Sequence, residues 1–117
     1  MTDIDEDTFL EENPIIQKIF PDDLNYPQRI QILSPKKILK PLFHMGEMVP
    51  FNGGVSVVGT RKCSESGALF AEEVGSALAD SSIIVNSGLA RGIDSFAHKG
   101  CVQNDGISIA VLAWFHK

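Results

Sequence analysis

Three short apolar runs, Val55-Ser56-Val57-Val58, Ile83-Ile84-Val85 and Ile107 to Leu112, constrain this chain more tightly than any other feature. They are rich in β-branched residues and read as strands of a sheet covered by other elements. Two stretches with helical spacing separate them. A connection long enough to hold a helix joins parallel strands by a right-handed crossover. The expected fold class is therefore α/β, one half of a doubly wound parallel sheet with about three core parallel strands. The chain ends at Ala113-Trp114-Phe115-His116-Lys117, directly after the third run, whereas a complete sheet of this kind has about five or six strands. The sheet is expected to be incomplete, preceded by an N-terminal extension.

Local signals set the elements. Ser64 can cap a helix running from about Glu65 to Ala79, with Leu69, Phe70, Val74 and Leu78 on one face. A second helix is predicted from about Ile93 to Val102, followed by a turn at Asn104-Asp105-Gly106. Upstream, residues 1–25 read as an acidic lead-in, and residues 26–117 as the partial α/β domain. Phe9-Leu10, Ile15-Ile16 and Ile19-Phe20 suit a short amphipathic helix with a break at Pro14. Tyr26-Pro27 opens a new segment. Arg29 to Leu33 fits a strand or a helical turn, Ser34-Pro35 a turn or a helix start. Leu42-Phe43-His44-Met45 reads as a short edge strand and Pro50 to Gly54 as a loop.

The chain has 117 residues and a net charge of −5. That length suits one small domain. No apolar run approaches the roughly 18–20 residues of a membrane span. The N-terminus, Met1-Thr2-Asp3-Ile4-Asp5-Glu6-Asp7, is acidic, the reverse of a secretory signal. The expected location is the cytoplasm, with no membrane contact. Cys63 and Cys101 lie far apart, without a second Cys or His at metal spacing, and read as two ordinary thiols. The acidity is concentrated in residues 1–23, which hold eight acids and one base, Lys18. The rest carries nine Lys or Arg against seven Asp or Glu. An anion site in that mildly basic body must come from local geometry, not from the overall field.

Two loops supply such geometry. The first is Gly59-Thr60-Arg61-Lys62-Cys63-Ser64-Glu65-Ser66-Gly67; the second is Ser87-Gly88-Leu89-Ala90-Arg91-Gly92-Ile93-Asp94. Each leaves a predicted parallel strand and enters a helix, the place where open α/β sheets bind ligands. Helix N-termini present unpaired N–H groups, glycine lets a ligand approach the backbone, and arginine forks bind phosphate. The candidate phosphate-binding residues are Gly59, Thr60, Arg61, Ser64, Ser87, Gly88, Arg91 and Gly92. Asp94 reads as a structural helix cap, and His98, one turn on, is placed to pair with it. For each glycine alone, a tight turn explains the residue equally well. The pattern points to an anion or nucleotide and to no particular reaction. A G-x-x-x-x-G-K-S/T phosphate loop, a G-x-S-x-G elbow, a G-x-G-x-x-G fingerprint and a clustered metal set are all absent from the sequence. No cofactor, no metal and no catalysis are expected.

The ordered residues of both loops resemble the DNA-processing protein A family, also called Smf or DprA. The likeness is carried by Val55 to Gly67, by Ser87-Gly88-Leu89-Ala90-Arg91-Gly92-Ile93-Asp94-Ser95-Phe96-Ala97-His98-Lys99-Gly100 and by Ser108-Ile109-Ala110-Val111-Leu112. Tyr26-Pro27 and Leu42-Phe43-His44-Met45-Gly46 look like lead-in elements of the same family. The resemblance spans about residues 22–112. It implies a Rossmann-like domain of the SLOG group and a cytoplasmic protein that binds single-stranded DNA and helps load a RecA-type recombinase in natural transformation. It implies that Arg61 and the Ser87–Gly92 loop line the DNA-phosphate pocket. Ser66 stands where the family motif has Tyr, and Cys101-Val102 where it has Ala-Leu. Two other readings stay open: a nucleotide-binding sensor or N-glycosidase of the SLOG type, and an inactive remnant. The exposed final strand also invites a homo-oligomer.

Overall fold

The computed structural model describes residues 5–28, 30, 39–47 and 53–112. The features expected at Arg29 to Leu33, at Ser34-Pro35, over most of the Pro50 to Gly54 loop and at Ala113 to Lys117 lie outside the described residues. The chain divides into two compact units, Met1–Phe51 and Asn52–Lys117.

The first unit opens with helix α1, Glu6–Glu12, whose N-cap Asp5 accepts the Thr8 N–H at 3.3 Å. The break expected at Pro14 is present, since α1 stops before it, but the helical reading of the apolar residues beyond is corrected: they form strand β1, Ile16–Ile19. Proline lacks the N–H that an interior helical turn needs and turns the residue before it toward extended backbone. The β-branched Ile16 and Ile19 suit the strand, and both are buried in it. β1 pairs antiparallel with β2, Leu42–Met45, with Ile16 opposite Met45 and Ile19 opposite Leu42. Tyr26 is buried, and its hydroxyl donates to the Lys40 carbonyl at 2.8 Å. Lys18 pairs with Glu6 and lies 5.3 Å from the centre of the Phe20 ring.

The second unit is a three-stranded parallel sheet in the order β3-β4-β5, formed by Val55–Ser56, Val85–Ser87 and Ser108–Ala110. Val55, Val85 and Ser108 stand in register across it. Two helices make the crossovers, α2 (Glu65–Asp80) and α3 (Ile93–Gln103). Two right-handed crossovers stepping the same way across a sheet set both helices on one face. The α/β class and the parallel half-sheet are those expected. Val85, Ala97 and Cys101 are fully buried, with Val57, Leu78 and Ala79 packed against them.

Ser64 caps α2, accepting the Gly67 N–H at 3.1 Å. The apolar face expected for this helix is corrected in its first turns only: Leu78 packs against the core as expected, and Val74 is half-buried. Leu69 and Phe70 are 61% and 67% exposed, while Ala68, Ala71 and Gly75 are buried. The reason is the closeness of α3. A Cβ on Gly75 would meet the Ala97 carbonyl oxygen, and one on Gly100 the Glu72 carbonyl oxygen. At that separation only small side chains fit between the helices, so Leu69 and Phe70 turn outward.

The second strand also begins two residues later than expected. Ser82 takes a left-handed φ of 57°, and the Ile83 N–H returns to the Leu78 carbonyl at 2.8 Å. The Ser82 N–H bonds the Ala79 carbonyl at 2.9 Å, completing a paired C-terminal closure of α2. Ile83 is thereby spent on ending a helix rather than on pairing. Asp105, with φ 56°, and Gly106 close α3 in the same way onto Val102 and Cys101.

Candidate functional site

Both candidate loops leave the carboxyl ends of neighbouring parallel strands, β3 and β4, and the structure brings them together. The Ile93 N–H donates to the Thr60 carbonyl at 3.2 Å. The Ser87 hydroxyl donates to the Val57 carbonyl at 2.5 Å. Gly92 takes φ +83°, and a Cβ there would strike the backbone of Thr60 and Arg61. A Cβ on Gly59 would lie 2.7 Å from the Ile93 side chain. These two glycines allow one loop to lie on the other, a role that needs no ligand.

Asp94 joins the loops most directly. It is only 7% exposed, and its two carboxylate oxygens accept the Gly59 N–H at 3.2 Å and the Gly88 N–H at 3.1 Å. Its expected role as a cap of its own helix is corrected: α3 starts after Gly92 with no side-chain cap. Its position in the first turn still favours a negative charge. The cost of burying that carboxylate is met by loop amides belonging to two different crossovers.

The pairing expected between His98 and Asp94 is likewise replaced. His98 Nδ1 bonds the Ser108 hydroxyl on β5, and Nε2 is buried without a partner among the described residues. Burial pushes the imidazole below its ordinary pKa, while the Ser87 main chain and the Asp94 charge pull it back only in part. His98 is therefore a neutral packing residue between α3 and the sheet near pH 7. Burial raises the Cys101 thiol, opposed by the Val85 main chain.

The candidate residues separate into three sets. Gly59, Ser87, Gly88 and Gly92 hold the loops to one another. Ser64 stands apart from them; it caps α2 and lies 3.2 Å from the Ser66 hydroxyl. Thr60, Arg61 and Arg91 are exposed. Neither arginine forms an ion pair among the described residues. The Thr60 hydroxyl accepts the Lys62 N–H at 3.3 Å, which leaves its own proton free to donate. Leu89, with φ 59°, holds the second loop in a left-handed turn that costs a leucine strain. Ser95 fixes the same loop by bonding the Ala90 carbonyl through its hydroxyl at 2.6 Å and its N–H at 3.1 Å. Sequence reasoning missed both Ser95 and the double role of Asp94; their signal is a polar residue within three positions after the last glycine of a strand-to-helix loop. Among the described residues there is no group of three potential metal ligands, and no helix is long and apolar enough to cross a membrane.

Known proteins share this arrangement. Protein Smf of Synechocystis is 37% identical over 117 aligned residues, covering 89% of this chain and 27% of that protein. The DNA processing protein DprA of Streptococcus pneumoniae is 50% identical over 58 residues, half of this chain and 20% of that one. The chain thus spans only about a quarter or less of these curated relatives. The X-ray structure of DprA from Streptococcus pneumoniae superposes with a TM-score of 0.72 at 33% identity, over 93% of this chain and 38% of that one. The family described as DNA recombination-mediator protein A matches residues 17–116, nearly the whole of the chain. With its parallel half-sheet and its paired strand-to-helix loops, the chain belongs to the DNA recombination-mediator protein A family, that of the DprA and Smf proteins.

Proposed function

We propose that the outer rim of the paired loops, Thr60, Arg61 and Arg91, holds backbone phosphates of single-stranded DNA, and that the chain acts by binding rather than by catalysis. The observation that carries this reading is the pair of exposed guanidinium groups, free of protein carboxylates among the described residues, on two loops tied together. Arginine forks suit phosphate oxygens. Donors set on an open surface suit a polymer better than a small nucleotide, which favours a walled cleft. A cytoplasmic setting, the handing of the strand to a RecA-type recombinase and self-association through the exposed Val111 and Leu112 belong to the same proposal, and family membership supports the first two.

The test is fluorescence anisotropy of a labelled oligo-dT across a salt series. Affinity should fall steeply with salt, and Arg61→Ala or Arg91→Ala should each flatten the log–log slope by about 0.7 for every phosphate no longer neutralised. Unchanged affinity and slope in both variants would remove the loops from the DNA site. Release of free base from a nucleoside monophosphate would instead favour the N-glycosidase reading.

A further inference from the structure

The amides of Gly59 and Gly88 sit where a phosphate would be expected in loops of this kind, at the carboxyl ends of parallel strands and before a helix. They are already occupied. Asp94 reaches both, is buried, and forms no ion pair among the described residues, so main-chain N–H groups supply its hydrogen bonds. That is the coordination a bound anion would receive, provided here by a residue of the chain. A second anion brought to the same amides would face the carboxylate at close range in a poorly solvated place, where like charges repel strongly.

We infer that Asp94 is a built-in anion: its carboxylate fills the amide pair of Gly59 and Gly88, sets the spacing of the two loops, and directs a ligand phosphate outward onto Thr60, Arg61 and Arg91. Asp94 is in this sense a positioning residue. Only the ligand half of the inference rests on the reading of the loops as a phosphate site; the clamp half stands on the hydrogen bonds alone.

The two halves are tested separately with the 117-residue chain. Asp94→Ala leaves two unpartnered amides and a hole the size of a small carboxylate. Sodium formate, compared with sodium chloride at equal ionic strength, should raise the melting temperature of Asp94→Ala by several degrees and leave the unmodified chain unmoved. Equal responses of the two proteins would overturn the clamp. In the unmodified chain, followed by amide NMR, titration with inorganic phosphate should shift Thr60, Arg61 and Arg91. The Gly59 and Gly88 amides should stay protected from exchange throughout. Loss of that protection as phosphate binds would mean that the ligand displaces the carboxylate, and would overturn the inference even if the variant failed to fold. Oligo-dT affinity of Asp94→Ala should fall about tenfold and recover in formate, as expected when a charged hydrogen-bond partner is removed and replaced. Unchanged affinity would sink the positioning role. If the unmodified chain bound neither phosphate nor oligo-dT, the proposed function and the ligand half would fail together, while the formate comparison would still decide the clamp.

Discussion

Replacing Gly92 by alanine is the most direct probe of how the two loops are joined. Gly92 has φ 83° and ψ −132°, a region that side chains other than hydrogen rarely enter. Holding an alanine there costs about 1–3 kcal/mol. The new methyl would also meet the carbonyl oxygens of Thr60 and Arg61. Both are backbone atoms, which cannot swing aside as a side chain can, so overpacking adds about 1–3 kcal/mol. The lower entropy of the unfolded alanine chain returns about 0.4–1 kcal/mol. The net loss is about 1–5.5 kcal/mol, with a midpoint of about 3 kcal/mol that corresponds to a fall in melting temperature on the order of 12–25 °C for a domain of this size. Gly46 supplies the control. Its φ is 99°, yet a Cβ there would meet nothing within 4 Å among the described residues. Gly46→Ala should therefore show the backbone cost without the collision, about 1–2 kcal/mol. The assay is urea denaturation of both variants by circular dichroism. If Gly92→Ala lost no more stability than Gly46→Ala, the loops would be free to part, and the close approach would not be what Gly92 provides.

Other substitutions probe the remaining links. Ser82→Gly should stabilise the chain by about 0.5–1 kcal/mol in the same urea assay, because glycine takes the left-handed closure of α2 without strain. Ser64→Ala should cost about 1 kcal/mol through removal of the Gly67 cap, with no effect on oligo-dT binding beyond that of stability. Because burial lowers the His98 pKa, the unfolded chain gains a proton as pH falls through about 6.5 while the folded chain does not; stability should decline from there until the folded imidazole itself titrates. Urea midpoints at about pH 7.5 and about pH 5.5 should therefore differ more for the native chain than for His98→Gln.

Elements whose signals are local were legible in the sequence. Ser64 shows itself as a cap because a hydroxyl directly before a helical pattern has few other uses, and the two helices and the parallel class followed from spacing alone. Three features needed the third dimension. Leu69 and Phe70 look like core because hydrophobicity scales with area, but the distance between α2 and α3 decided for Ala71 and Gly75. Ile83 looks like the middle of a strand because it is β-branched, but its amide was required to close α2. Ile16 and Ile19 continue a helical spacing past the break at Pro14, but pairing with Leu42–Met45 made their segment a strand.

The site was legible in its membership and not in its division of labour. Gly59 and Gly92 mark places where something approaches the backbone more closely than a Cβ permits. A phosphate and a neighbouring peptide make the same demand, and they leave the same letter in the sequence. At Gly92 the neighbour is the main chain of Thr60 and Arg61, and at Gly59 it is the side chain of Ile93. An aspartate after such a loop is similarly ambiguous. It serves its own helix or it reaches back across, and the choice depends on whether another loop's amides lie within about 3 Å. Here they do, through β3 and β4 being neighbours in the sheet, which is a fact of topology. Arginine escapes the ambiguity because its reach is long and its charge is costly to bury without a partner. An arginine left exposed beside a buried aspartate that already holds the loop amides is therefore the stronger pointer to a ligand, and Arg61 and Arg91 are the residues on which the functional reading should be judged first.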